Sequence, residues 1–205
     1  MNVFPAGTAL IVIDAQEDTF AVARVPGRFV AVARLNRLLE AARAAGVPTA
    51  LLRQETRNPL LRVLGGGRFA PGSPGAELVV GLDDRDETVV VKSTADAFDS
   101  ASFAAWIDRV GPRHLVVAGG LAESCVKATV AHALAARFGV TVVEDALLAA
   151  SESGLARSVV AMRRSGAHVV ALGDSLIDED AATAPGAAAS AAVAAETGGL
   201  SLGHG

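Results

Sequence analysis

Short apolar runs that alternate with helix-patterned stretches constrain this chain more than any other feature. Thr8–Ile13 (TALIVI), Val47–Leu52, Thr88–Val91 (TVVV), His114–Ala118 (HLVVA), Val140–Val143 and Ala167–Leu172 are each four to six residues long and dominated by aliphatic side chains. Continuous apolar runs of that length fit strands covered on both faces of a parallel sheet. Between them lie stretches of helical period. Phe29–Ala45 puts Val32, Leu35, Leu38, Leu39 and Ala42 on one face and Arg34, Arg37, Glu40 and Arg43 on the other. Ala101–Val110 carries an apolar stripe of Phe103, Trp106 and Ile107, and Gly154–Ser165 reads as another helix. A further helix is expected from near Cys125 to Phe138, with Gly139 as its stop. This alternation predicts an α/β fold: three layers, α/β/α, around a central, mostly parallel sheet of six strands.

The 205 residues suit one domain, assigned to 1–177, followed by an Ala- and Gly-rich tail over 178–205 that offers little to bury. A net charge of −4 gives no reason to expect nucleic acid or an anionic membrane as partner. The lone cysteine excludes an internal disulfide framework and suits a reducing compartment. The N-terminal stretch lacks the basic start and long apolar run of a secretion signal, so a cytoplasmic protein acting on a small molecule is expected.

In a parallel α/β sheet, ligands bind beyond the carboxyl ends of the strands. Four of the runs end there in chemistry-bearing residues: Asp14, then Arg53 with Gln54, then Lys92, and last the turn Gly119–Gly120 before Cys125. A thiol in the first turn of a helix sits near unpaired N–H groups and the positive end of the dipole, which favour a thiolate. Asp14 can serve as acid and base if burial raises its pKa, and Lys92 can hold the charge and orient Asp14. The N–H of Cys125, with another from Gly120–Ala122, can stabilise an oxyanion. Histidine does not fit the base role: His114 and His168 open strands at the other end of the sheet, His132 lies about two turns into a helix, and His204 is in the tail. Arg53 and Gln54, closing the neighbouring strand, are candidates for substrate recognition. Asp145 has the same strand-end placement but reads as a turn or cap residue, and Glu123 and Ser124 read as helix-capping residues.

These residues fall into separated motifs: Ile13-Asp14-Ala15-Gln16, then Gly72-Ser-Pro-Gly75 with Glu77-Leu78, then Lys92 with Ala97-Phe98, then Gly119-Gly-Leu-Ala-Glu-Ser-Cys125-Val126. In that order they resemble the isochorismatase-like cysteine hydrolases, relatives of nicotinamidase and N-carbamoylsarcosine amidohydrolase. The resemblance spans about Thr8 to Ala150. It implies a triad of Cys125, Asp14 and Lys92, and a cis peptide at Gly120–Leu121. Gln16, Phe20, Phe98 and Ala122, lying in or beside those motifs, complete the expected pocket. It also implies a homo-oligomer, a dimer or tetramer.

The chain departs from the family pattern in three places. Nicotinamidases carry an Asp and histidines as a metal site after the second strand, whereas this chain reads Arg53-Gln-Glu-Thr-Arg57 there and has no histidine before His114. Asp96 stands where a serine is usual, and Thr19, followed by Phe20, where a phenylalanine is usual. No metal and no cofactor is therefore expected. The expected activity is hydrolysis of a C–N bond in a small carboxamide or ureido compound, through an acyl-thioester on Cys125. The alternatives are an isochorismatase-type ether hydrolase and a non-catalytic binding member of the same fold.

Overall fold

The computed structural model describes residues 3–85 and 87–172. Six strands form one sheet: β1 (Thr8–Ile13), β2 (Thr49–Gln54), β3 (Thr88–Lys92), β4 (His114–Gly120), β5 (Gly139–Leu148) and β6 (His168–Val170). Their order is β3-β2-β1-β4-β5-β6, and every pairing is parallel. The helices are α1 (Glu17–Val22), α2 (Arg28–Ala44), α3 (Pro59–Leu64), α4 (Ala101–Val110), α5 (Lys127–Ala135) and α6 (Glu152–Arg164). The tail assigned to 178–205 lies outside the described residues. Among the described residues, no helix is long and apolar enough to cross a membrane.

The sheet divides the core by the two-residue period of its strands. Ala9, Ile11 and Ile13 of β1 join Phe103, Trp106, Val126 and Val130 on the face covered by α4, α5 and α6. Leu10 and Val12 turn to the other face, against Leu35, Leu38 and Leu39 of α2. Each fully buried Leu or Ile contributes roughly 1.5–3 kcal/mol relative to exposure, so both faces of β1 hold it in the centre of the sheet. From β1 the chain winds outward on one side through β2 and β3, and on the other through β4 and β5. The reversal falls between β1 and β4, whose carboxyl ends carry Asp14 and the cysteine turn.

Several elements differ from the sequence reading. β5 continues to Leu148 because it re-pairs with β4 beyond a register shift, Gly119 with Leu147 and Gly120 with Leu148. Asp145 therefore lies inside a strand rather than a turn, where its Oδ1 accepts the N–H of Leu172 at 2.7 Å. Helix α5 begins at Lys127 and ends at Ala135, with Arg137 in the left-handed region at φ 67°, so Gly139 opens β5 instead of stopping the helix. Arg57–Gly75, irregular in sequence with its Gly65-Gly-Gly67 run, holds the short helix α3, started by an Asn58 side chain that accepts the N–H groups of Leu60 and Leu61 and by Pro59 in the first turn.

Candidate active site

Three chain segments bring a carboxylate, an ammonium and a thiol to one place. Asp14 follows β1 directly and adopts φ 47°, a left-handed conformation that Asp tolerates better than most residues. Its amide still donates to the carbonyl of Leu52 on β2 at 2.8 Å, so the turn stays tied to the sheet. Lys92 ends β3, two strands away in the sheet order. Adjacent strands are about 4.8 Å apart, so only a long side chain can bridge that gap. Lys92 does so, and Nζ donates to Asp14 Oδ2 at 2.9 Å, to Gln54 Oε1 at 2.8 Å and to the Thr94 carbonyl at 3.0 Å. An ammonium has three protons, and all three have acceptors. Both Lys92 and Asp14 are buried, at 2% exposure each.

Cys125 enters from β4. Gly119 is required by two facts at once: its φ is 97°, and a Cβ there would stand 2.1 Å from the Ile13 carbonyl oxygen. The Gly120–Leu121 peptide is cis. The chain then makes a π-helical turn over Ala122–Val126, in which the Leu121 carbonyl accepts the N–H groups of Ser124 and Val126 at 3.0 and 3.2 Å. Such turns recur at functional sites because they offset side chains from the helical register. Cys125 sits in this turn, upstream of α5, with its Sγ 3.9 Å from Ser124 Oγ and within electrostatic reach of the Asp14 carboxylate.

The electrostatics revise the expectation of a resting thiolate. Burial, reinforced by the adjacent Asp14 charge, pushes the Cys125 thiol up to about 11, and Lys92 only partly offsets this. Burial also raises the Asp14 carboxyl above its ordinary value, against the opposing pull of Lys92. The helix end is too weak to outweigh desolvation and a like charge, so the thiol holds its proton at rest. Asp14 is the carboxylate whose charge bears on the thiol, and its Oδ1 is buried without a hydrogen-bond partner.

The other expected pocket residues take varied positions. Gln54 belongs to the Lys92 network rather than facing outward. Gln16 is wholly buried and bonded through both ends of its side chain: its amide donates to the carbonyls of Gln54 and Ala76 at 3.0 and 2.6 Å, and its oxygen accepts the N–H of Gln54 at 2.7 Å. It ties the end of β2 to the Pro74–Ala76 turn, and its assignment to substrate is replaced by that role. Arg53 neighbours Gln54 on an extended strand and so points to the opposite side, where it meets Glu55 at 2.8 Å and Glu77 at 3.2 Å. Phe20 packs on the α2 side of the sheet beneath the Arg28 guanidinium, away from the cluster that contains Cys125. Phe98 packs beside that cluster, stacked on His132 at 4.5 Å and edge-on to Phe103 at 5.1 Å. Asp96, in the usual serine position, pairs with His132 Nδ1 at 2.8 Å. Ala122 is fully buried and offers only its backbone.

Two residues carry more than the sequence reading gave them. Glu123, read as a cap, accepts the Ala150 N–H at 3.1 Å and so ties the cysteine turn to the end of β5. Thr19 is 2% exposed, with a hydroxyl that has no hydrogen-bond partner. The missing aromatic residue at that position was the available signal.

The segment after β2 does not suit a divalent cation. Glu55 is the one carboxylate there, and both its oxygens are occupied, one by Arg53 and the other by Arg57 at 3.0 Å. Two guanidinium groups against a single carboxylate would repel a metal ion, and histidine ligands are missing from the local sequence. Among the described residues, no group of three or more His, Cys, Asp or Glu side chains is gathered to hold one.

A sequence model of the isochorismatase domain matches residues 8–174. The chain belongs to the isochorismatase family of hydrolases. It is 32% identical over 175 residues to a probable inactive nicotinamidase of Arabidopsis thaliana, covering 78% of this chain and 89% of that protein. A crystal structure of an isochorismatase family protein from Desulfovibrio vulgaris superposes with a TM-score of 0.71 at 28% identity, covering 86% of this chain and 98% of that one. A pyrazinamidase of Pyrococcus horikoshii in complex with zinc shares the fold, with a TM-score of 0.68 at 23% identity, covering 80% of this chain and 99% of that one.

Proposed function

We propose that this family member is a cysteine amidohydrolase of small carboxamide or ureido compounds that needs no resident metal. The carrying observation is the buried ion pair of Asp14 Oδ2 with the Lys92 ammonium at 2.9 Å, set at the strand ends with the Cys125 thiol near enough for its titration to feel both charges. Asp14 takes the thiol proton as sulfur attacks the substrate carbonyl, forming the S–C bond. The N–H of Cys125 and those of the Gly120–Ala122 turn stabilise the oxyanion. The C–N bond breaks, Asp14 returns its proton to the departing amine, and an acyl-thioester remains. Water then attacks, giving a proton to Asp14. The carboxylic acid leaves, and the thiolate recovers that proton. Lys92 keeps Asp14 oriented and ionised enough to act as base.

The amide specificity draws support from the thiol itself and from the pyrazinamidase that shares the fold. Nicotinamide is a poor candidate. The Arabidopsis relative is described as a probable inactive nicotinamidase, and the segment after β2 is unsuited to a cation. Leu60, Leu61, Val63 and Leu64 of α3 are all exposed, an apolar strip that supports assembly into a homo-oligomer. Cytoplasmic location remains part of this reading.

The test is a panel of small amides and ureides assayed for ammonia release, combined with hydroxylamine trapping. Acyl transfer from Cys125 to hydroxylamine is the expected outcome. Turnover undiminished in Cys125→Ala would end the covalent reading.

A further inference from the structure

Helix α6 presents two faces. Val159 and Met162 pack into the core, while Val160, one position past Val159, is 44% exposed. Beside it a hollow of about 470 Å³ lies between α6, α2 and β5. Leu155, Val159 and Val160 line it with aliphatic carbon, and Arg34, Asp145 and Arg163 line it with charge. A single exposed valine is ordinary, but an aliphatic strip along a concavity is the form a docking surface takes. The helix also bears on the candidate site. A Cβ on Gly154, near its start, would stand 2.1 Å from Glu123 Oε1 of the cysteine turn.

The described residues end at this hollow. Leu172 is the last of them, and its N–H donates to Oδ1 of Asp145, one of the lining residues, at 2.7 Å. The sequence continues Gly173-Asp-Ser-Leu176-Ile177-Asp-Glu-Asp180. Leu176 and Ile177 are the only adjacent pair of large aliphatic residues after Leu172, and three acids follow them directly. Four residues of extended chain reach about 14 Å, more than the roughly 10 Å width of a round hollow of this volume. A guanidinium has five N–H donors. Arg34 gives one to the Asp145 carbonyl and Arg163 gives one to Glu144, so each can take a further carboxylate.

We infer that residues 174–180 dock in this hollow, with Leu176 and Ile177 on the aliphatic strip of α6 and Asp178, Glu179 and Asp180 against Arg34 and Arg163. A segment tethered a few residues away acts at an effective concentration in the millimolar range, so it outcompetes a second copy of the chain for the same strip. The docked segment closes the domain beyond β6 and holds α6, and through Gly154 the cysteine turn, in place.

The experiment is disulfide trapping in the full chain carrying Cys125→Ala, so that no native thiol competes. Val160→Cys with Leu176→Cys is compared with Val89→Cys with Leu176→Cys. Val89 is as exposed as Val160, at 45%, but lies on β3 at the other margin of the sheet. Under oxidised glutathione, the Val160 pair is expected to close within one chain at least about tenfold faster than the Val89 pair, read by intact mass and non-reducing gel. Equal rates overturn the docking. A disulfide-linked dimer at Val160 gives the strip to a second copy and overturns it too. Thermal melts supply a second measurement. Leu176→Asp with Ile177→Asp is expected to lower the melting temperature by about 5 °C, whereas Val193→Asp with Leu200→Asp leaves it unchanged. An unchanged melting temperature in the first of these variants overturns the docking.

Discussion

The two ends of the sheet meet the same problem, polar groups at strand termini, and answer it differently. At the amino end, Thr8 Oγ1 donates to the Pro5 carbonyl, Thr49 Oγ1 to the Val47 carbonyl at 3.2 Å, and His114 Nε2 meets Thr141 Oγ1 at 2.9 Å. These are neutral pairs, two of them closed within three residues of sequence. At the carboxyl end stand a buried ion pair, a proton-holding thiol and every unpartnered buried side-chain polar atom found among the described residues. A hollow of roughly 400 Å³ opens at the amino end, lined in part by Phe4, Pro5, Val47 and Pro112, yet no charged side chain lines it. Concavity alone therefore does not mark the site. Uncancelled polarity does.

Substitutions at the two ends put this contrast to the test. The largest effect is expected from Cys125→Ala, which should lower kcat by about 10⁴-fold or more without unfolding the protein. His114→Gln at the amino end should leave kcat/KM nearly unchanged. A large loss in the histidine variant would erase the contrast. Asp14→Asn should lower kcat by about 10²–10⁴-fold, while iodoacetamide labels Cys125 faster between pH 8 and 9. The carboxylate that raises the thiol pKa is then gone, so labelling and turnover should move in opposite directions. Slower labelling would show that Asp14 does not hold the proton on sulfur.

Lys92→Met should cost about 3–5 kcal/mol, read from the urea midpoint, because it leaves Asp14 buried without its cation. The smallest effect concerns alkaline stability. A thiol pKa raised from 9.0 to about 11 on folding contributes stability that is complete below pH 9 and is lost as pH rises through 11. Wild type should therefore lose more stability than Cys125→Ala across that interval, as measured by thermal melts of the two proteins.

Much of this was legible in the sequence because the relevant signals are local. Apolar runs such as Thr8–Ile13 and the helical stripe of Ala101–Val110 state their own conformations, and strand-end positions placed Asp14, Lys92 and Cys125 along one rim. What failed to show depends on partners far along the chain. Gln16 looks like a pocket residue until Gln54 and Ala76 take up its amide. Arg53 and Gln54 look equivalent until the alternation of β2 sends one to Glu55 and the other to Lys92. The extension of β5 through Glu144–Asp145 is decided by re-pairing with β4, which no polar dipeptide announces. The resting state of Cys125 was misjudged for the same reason, since desolvation is set by the whole surround while a helix end can be read from a few residues.

Lys92 belongs to β3, the outermost strand on its side, attached to the sheet through β2 alone. The cation reaches the centre only while that edge is docked. Undocking that margin would carry the ammonium away and leave sulfur and carboxylate behind in the middle of the sheet.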